Sequence, residues 1–156
     1  MKIINSCCRF NLIMALALAV SLGACSPSPD PLSLVNAWAQ ALNDGDVDKA
    51  LSYLTEDAVV TIVPAPPGGN GIFTGQEQIQ AWYQAIARAH GIGKMANCKV
   101  AGDQVTCLDT YTDDDFTAMG VDFIQGEWVA TLENGKFKGY TMTMTPESLA
   151  KLAPPP

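Results

Sequence analysis

The run from Val121 to Met144 is rich in β-branched and aromatic residues and is interrupted once, by Glu133-Asn134-Gly135-Lys136. Val121–Leu132 is therefore expected as one long strand and Phe137–Met144 as its return. Asn-Gly supplies the two positive φ angles that a type I′ turn needs. Closing the turn on Asn134-Gly135 pairs Leu132 with Phe137, Ala130 with Gly139 and Trp128 with Thr141. Side chains alternate across a strand, so on that register Ile124, Trp128, Ala130, Leu132 and Phe137 share a core face. The other face, with Phe123, Val129, Tyr140, Met142 and Met144 beside Gln125 and Glu127, is half apolar and half polar.

Upstream the period changes. Leu34, Val35, Trp38 and Leu42 form one stripe at helical spacing, begun by Asp30-Pro31 as cap and first residue and stopped by Asn43-Asp44-Gly45. Asp46 caps a second helix carrying Val47, Ala50, Leu51 and Leu54. Ala58–Val63 reads as a strand closed by Pro64, and Ala65–Gly71 as a Pro/Gly loop able to rim a cavity. Ile72–Gly75 leads into a third helix from about Gln76, with Ile79, Trp82, Tyr83 and Ile86 on one side and Gly91 at its end. Strands over Lys94–Val100 and Gln104–Tyr111 follow. Helices early and strands late give an α+β domain, with helices laid on one face of an antiparallel sheet.

The chain of 156 residues begins with a segment outside that domain. Lys2 and Arg9 precede an apolar run, Leu12–Ala24, too short to span a bilayer, which ends in Leu22-Gly23-Ala24-Cys25. That ending resembles a bacterial lipobox, which implies cleavage before Cys25 and lipid on its thiol and new amino group. The expected layout is a signal peptide over 1–24, the lipidated Cys25 and a short linker over 25–30, the domain over 31–152 and a Pro-rich tail over 153–156. Ser26 after the cysteine favours the outer membrane, facing the periplasm, in a cell that has one. Cys7 and Cys8 leave with the signal, as do Lys2 and Arg9. Seven basic residues then face sixteen acidic ones, a net charge of −9. Nucleic acid, which rewards clustered Lys and Arg, is not an expected partner, and phosphate-binding glycine motifs are absent.

Export places Cys98 and Cys107 where disulfides persist. A two-residue turn at Gly102-Asp103 pairs Ala101 with Gln104, Val100 with Val105, Lys99 with Thr106 and Cys98 with Cys107, so a disulfide is expected there. No metal is expected, because no His or further Cys completes a tetrahedral set. No cofactor is expected either.

A helix with an aromatic centre, Leu54-Thr55-Glu56-Asp57-Ala58-Val59, Phe73-Thr74-Gly75 leading to Ile79 and Trp82, and the late Asn134-Gly135-Lys136 turn occur here in a fixed order. That order resembles the nuclear transport factor two-like superfamily, SnoaL-like branch, over roughly Pro31 to Thr145. The resemblance implies a cone: a strongly curved antiparallel sheet wrapped around the N-terminal helices, with an apolar pocket at its open end. It also implies dimers through the outer sheet face, which would give Phe123, Tyr140 and Met142 a use. The superfamily holds both enzymes and binders, so fold does not decide function. Its steroid isomerases place a general-base Asp just before the proline ending the first strand, where this chain has Ile62-Val63-Pro64. The Arg-plus-two-Asp set of its epoxide hydrolases is missing; Arg88, the only Arg after the leader, falls late on a helix.

Asp109 and Tyr111 are the remaining acid–base candidates. They share one strand face, and if it lines the cone Asp109 is a desolvated carboxyl with a raised pKa beside a phenol. If the face points outward, both are simply solvated. Trp38, Tyr53, Phe73 and Trp82 are candidate pocket residues, with ordinary core packing as the alternative. His90, next to Gly91, reads as a helix-end residue that favours the dipole. Asp113-Asp114-Asp115 lacks the spacing of a calcium loop and reads as a solvated turn. No Ser/His/Asp or Cys/His set can be assembled. The favoured reading is a lipid-anchored envelope protein that binds a small apolar ligand or a protein partner without catalysis. The alternatives are an enzyme of proton transfer or hydrolysis using Asp109 and Tyr111, and a structural dimerisation module.

Overall fold

A computed structural model describes residues 30–153. The expected signal peptide, Cys25 and most of its linker, and Pro154–Pro156 lie outside the described residues. Helix α1, Pro31–Asn43, starts where the sequence places it: the Asp30 carboxylate accepts from the Ser33 N–H at 2.9 Å and Pro31, lacking an N–H, takes the first helical position. Helix α2, Val47–Ser52, is capped in the same way by Asp46 onto Lys49. Strand β1, Leu54–Val63, and the short β2, Ile72–Thr74, lead into α3, Gly75–Arg88. Then come β3, Ile92–Ala101, β4, Gln104–Thr112, the one-turn α4, Asp114–Ala118, β5, Ile124–Glu133, β6, Lys136–Met144, and α5, Pro146–Leu152. The six strands form one sheet in the order β2-β1-β6-β5-β4-β3. The architecture is α+β, with a curved, unclosed sheet around the N-terminal helices.

One neighbour pair departs from the antiparallel expectation. β1 runs parallel to β6, because two helices and four strands separate them in the chain and supply the long crossover a parallel pair needs. Gly139 makes that pairing possible: a Cβ there would collide with the backbone of Val59.

The larger correction concerns the β5–β6 hairpin. Asn134 and Gly135 take φ of 52° and 75°, and Leu132 pairs with Phe137 as expected. The register then shifts, so that Ala130 faces Tyr140 and Trp128 faces Met142. One extra residue on β6, a β-bulge, moves every later side chain to the opposite face. Tyr140 and Met142 are therefore buried in the core and are not part of an outer face, while Thr141 and Thr143 take the outside. Burying a phenol ring and a thioether in place of two threonines removes more apolar surface from water. Phe123 also differs from expectation. It precedes β5, which starts only at Ile124, and lies on the surface.

The β3–β4 turn at Gly102-Asp103 has the expected pairs as far as Lys99 with Thr106. Beyond it a bulge sets Asn97, at φ 53°, and Cys98 opposite Cys107. Cys98 and Cys107 are joined by a disulfide, their Cα atoms 4.1 Å apart. Two short helices were not anticipated. Asp113 caps α4 by accepting from the Phe116 N–H at 2.8 Å, and Thr145 with Pro146 starts α5.

The core centres on Trp38. Its ring lies 5.3 Å from Trp128, 5.2 Å from Tyr140, 5.7 Å from Phe137 and 6.5 Å from Tyr83. Val35, Leu54, Val60, Ile79, Val105 and Ile124 pack around this group.

Candidate functional site at the α4 end of the cone

The two ends of the cone differ in chemistry. At one end lie the β3–β4 and β5–β6 turns, α2 and the start of α3. At the other, α3 ends, β3 begins and α4 connects β4 to β5. Asn43, the last residue of α1, fastens this second end. Its side-chain amide donates to the Gly93 carbonyl and its oxygen accepts from the Gly93 N–H, both at 2.9 Å.

Asp109 points into the cone near this end. The inner row of β4 is Val105, Cys107, Asp109 and Tyr111, set by strict alternation from the buried Val105. Asp109 is 7 % exposed, and its Oδ1 has no hydrogen-bond partner. Burial pushes its carboxyl up to about 6. The backbone N–H of Lys94 hydrogen-bonds the carboxyl and pulls the other way, without overcoming desolvation. Its lateral partners are Met95 on β3 and Gly126 on β5, with Met144 beyond Gly126 on β6.

Tyrosine hydroxyls stand near it. Burial is the main cause holding the Tyr111 phenol protonated, and the carboxylates of Asp113 and Asp109 add to it. Phe116 of α4 packs edge-on against the Tyr111 ring at 6.1 Å. Tyr140 is pushed up by burial first and then by Tyr83, with the charge of Asp109 contributing. Tyr83, itself raised by burial, accepts from the Trp38 indole N–H at 3.1 Å and faces the Tyr140 hydroxyl. A line of buried polar groups thus runs from Trp38 through Tyr83 and Tyr140 toward Asp109. Its members are hydrogen-bond donors at neutral pH, facing a carboxyl able to accept.

The four aromatic pocket candidates are not brought together. Trp38 belongs to the centre of the core. Phe73 and Trp82 stack on each other, centroids 4.9 Å apart and planes 16° from parallel, where β2 meets α3. Tyr53 lines a cleft of about 340 Å³ at the turn end with Ser33, Leu34, Ala37, Ser52, Gly135 and Lys136. A second cleft at the same end, about 650 Å³, is rimmed by Asp48, Glu56, Glu77, Gln80 and Lys136. Neither cleft reaches Asp109.

His90 sits just past the C-cap of α3 with φ 50°. Its Nδ1 is 2.7 Å from the Asp114 carboxylate, both groups exposed, so it ties the end of α3 to the start of α4. The three consecutive aspartates divide their roles: Asp113 caps α4, Asp114 meets His90, and Asp115 falls in the first turn. Among the described residues no group of three or more His, Cys, Asp and Glu side chains is placed to hold a metal ion. Val63, where the steroid isomerases carry their base, lies on the outer face, 42 % exposed.

Sequence reasoning singled out Asp109 and Tyr111 as candidates but not Tyr83, Tyr140, Met142 or Gly126, which the structure places around them. Tyr83 was visible only as one residue of a helical stripe. Tyr140 and Met142 depend on a bulge that no residue between Phe137 and Tyr140 announces, and Gly126 on the β4–β5 register.

A family model for the SnoaL-like domain matches residues 35–140. No curated protein matches the chain in sequence. Among solved structures, an NTF2-like protein of unknown function from Cytophaga hutchinsonii aligns with a TM-score of 0.59 at 17 % identity, over 76 % of this chain and 93 % of that one. A computationally designed binder of 17-OHP aligns with a TM-score of 0.64 at 10 % identity, over 75 % and 92 %. SalBIII, an epoxide hydrolase/cyclase-like enzyme with a role in pyran ring formation in the polyether salinomycin, gives 0.60 at 16 %, over 75 % and 92 %. At these identities the likeness is one of fold. The family model covers more than half of the chain, and with the cone it aligns to, this protein belongs to the SnoaL-like domain family.

Proposed function

We propose that the domain binds a small, mainly apolar molecule inside the α4 end of the cone, and that Asp109 is its polar anchor. The observation that carries the reading is the unpartnered Oδ1 of a carboxyl that is almost wholly buried. Leaving such an acceptor unpaired costs free energy on folding, which a ligand hydroxyl or N–H returns on binding. An apolar site with a few convergent polar groups is the usual form of a small-molecule pocket. Fluorescence titration with 2-naphthol, which has one hydroxyl donor, against 2-methylnaphthalene, which has none, tests it. Wild type is expected to prefer 2-naphthol by about tenfold or more, the worth of one hydrogen bond to a charged acceptor, and Asp109→Leu to erase the preference. Equal affinity for the two probes in wild type, or binding of neither, overturns the reading.

A second reading, proton transfer on the bound molecule, is favoured by the proximity of Tyr111 and Tyr140 to a carboxyl raised to about 6. A base near neutrality suits this work. In D₂O, 2-tetralone would exchange its α-hydrogens in wild type and not in Asp109→Asn, which still accepts a hydrogen bond. No exchange above the buffer rate in wild type sinks it.

The cellular setting we propose is an envelope protein held by lipid on Cys25, supported by the lipobox pattern and the few residues from Cys25 to Pro31. Incorporation of an alkyne-palmitate label, lost in Cys25→Ser together with membrane association, is the check. Homodimerisation through the outer sheet face remains a separate proposal. Exposed Val59, Val63 and Ile72 support it, whereas Tyr140 and Met142 do not contribute.

A further inference from the structure

We infer that Met142 is a displaceable plug of the Asp109 site: its side chain fills the space over Gly126 beside the carboxyl, and a ligand takes that space by swinging it aside. The inference rests on the ligand reading above and specifies how that site opens.

Asp109 stands between two glycines. Gly126 is its direct partner across the β4–β5 ladder, and a Cβ built on Gly93, on the other side, would sit 3.4 Å from Asp109 Oδ1. Direct cross-strand partners have Cβ positions about 5 Å apart, so a side chain at Gly126 would wall the carboxyl in. Instead the tip of Met142 lies there. Its Cε and Sδ come within 2.7 and 2.9 Å of the place a Gly126 Cβ would take. Met142 belongs to the next row inward, opposite Trp128, so its side chain leans along the strand to cover Gly126.

A methionine is suited to this position. It is unbranched, has three rotatable bonds and a polarisable sulfur, and repacks where a branched or aromatic residue is locked by its neighbours. Met95 and Met144, both partly buried, share the row of Asp109. The lateral neighbours of the carboxyl in the sheet are therefore a glycine and thioethers, although the core behind it is made of Trp38, Trp128 and Tyr140. The two clefts at the turn end do not open onto Asp109, and space for a ligand beside it is made by moving Met142, the flexible side chain over the glycine.

The test compares wild type, Met142→Ala and Met142→Leu in binding 2-naphthol, each first shown to be folded by its near-ultraviolet circular dichroism. Met142→Ala leaves the space open and is expected to bind at least tenfold more tightly and to associate faster. Met142→Leu keeps the volume but stiffens the plug, and is expected to bind more weakly than wild type. In wild type with ¹³C-methyl methionine, the Met142 methyl resonance, assigned by its loss in Met142→Leu, is expected to move on titration. Equal affinity in all three proteins, or binding that leaves that resonance in place, overturns the plug. If the same proteins still prefer 2-naphthol over 2-methylnaphthalene through Asp109, the ligand reading survives that result. Binding by none of them overturns both.

Discussion

Asp109 faces Gly126 directly across the β4–β5 ladder, so one of the most buried charged groups in the domain has a neighbour with no side chain on that strand. Its second oxygen finds no donor, and folding leaves that cost standing. The carboxyl is raised from 3.8 to about 6, so the folded state holds its proton more tightly than the unfolded chain does. The Asp109 contribution to stability is therefore most favourable below about pH 4, falls as pH rises through the interval to 6, and is flat above it. A shift of this size corresponds to roughly 3 kcal/mol. In urea unfolding between pH 4 and 7.5, Asp109→Asn should gain on wild type by up to that amount as pH rises. Parallel profiles for the two proteins would show that the carboxyl is not desolvated.

The disulfide of Cys98 and Cys107 closes a loop nine residues apart in sequence across a bulged turn. For a loop this short, chain entropy gives roughly 2–3 kcal/mol. The Cys98→Ala/Cys107→Ala double variant should remain folded and lose about that much in urea unfolding, with the midpoint lowered and the m-value unchanged. Wild type treated with reductant should match it. A larger loss with a changed m-value would mean that the bridge holds the β3 bulge itself.

Trp38→Ala cannot serve as a test of ligand binding, because Trp38 is the centre of the aromatic core, and removing it costs about 3–5 kcal/mol. Trp38→Phe is the informative change. It keeps an aromatic ring against Trp128 and Phe137 but removes the indole N–H that Tyr83 accepts at 3.1 Å. A loss of roughly 1–3 kcal/mol is expected from the smaller ring and the lost hydrogen bond. Tyr83→Phe should cost less in the Trp38→Phe background than in wild type. Additive costs would place the stabilisation in packing alone.

Local chemistry made much of this fold legible. Asp30-Pro31, Asp46, Gly102-Asp103 and Asn134-Gly135 each carry their own structural instruction in a few adjacent residues, and the helices and turns begin where those residues stand. Asp109 was legible as a candidate because a carboxylate in an apolar strand is unusual. The direction of its face was not, since one strand's alternation has two phases and only packing against α1 and α3 selects between them. Tyr140 and Met142 were placed on the wrong face for a similar reason. Nothing in Phe137-Lys138-Gly139 marks a bulge, and the choice between registers is made by what the distant Trp38 can pack against.

That bulge yields the sharpest test of how the site is built. Lys138 is the residue added between the Leu132–Phe137 and Thr131–Gly139 pairs. Its ammonium reaches out to Asp57 at 2.6 Å and Glu133 at 3.4 Å, all on the surface. Lys138→Ala keeps the residue count and removes only solvated ion pairs, so its unfolding midpoint should stay close to wild type. Deleting Lys138 removes the extra residue. β6 must then turn Tyr140 and Met142 outward and bring Thr141 and Thr143 in, or else break the Asn134-Gly135 turn. Exposing two large buried side chains costs roughly 3–6 kcal/mol, a large part of the total stability of a domain this size. The deletion is expected to unfold at much lower urea, or not to fold at all, while Lys138→Ala behaves as wild type. Equal loss in both would assign the effect to the lysine's ion pairs. Equal stability in both would mean that the face of β6 does not depend on the bulge, and Met142 would lose its place beside Asp109.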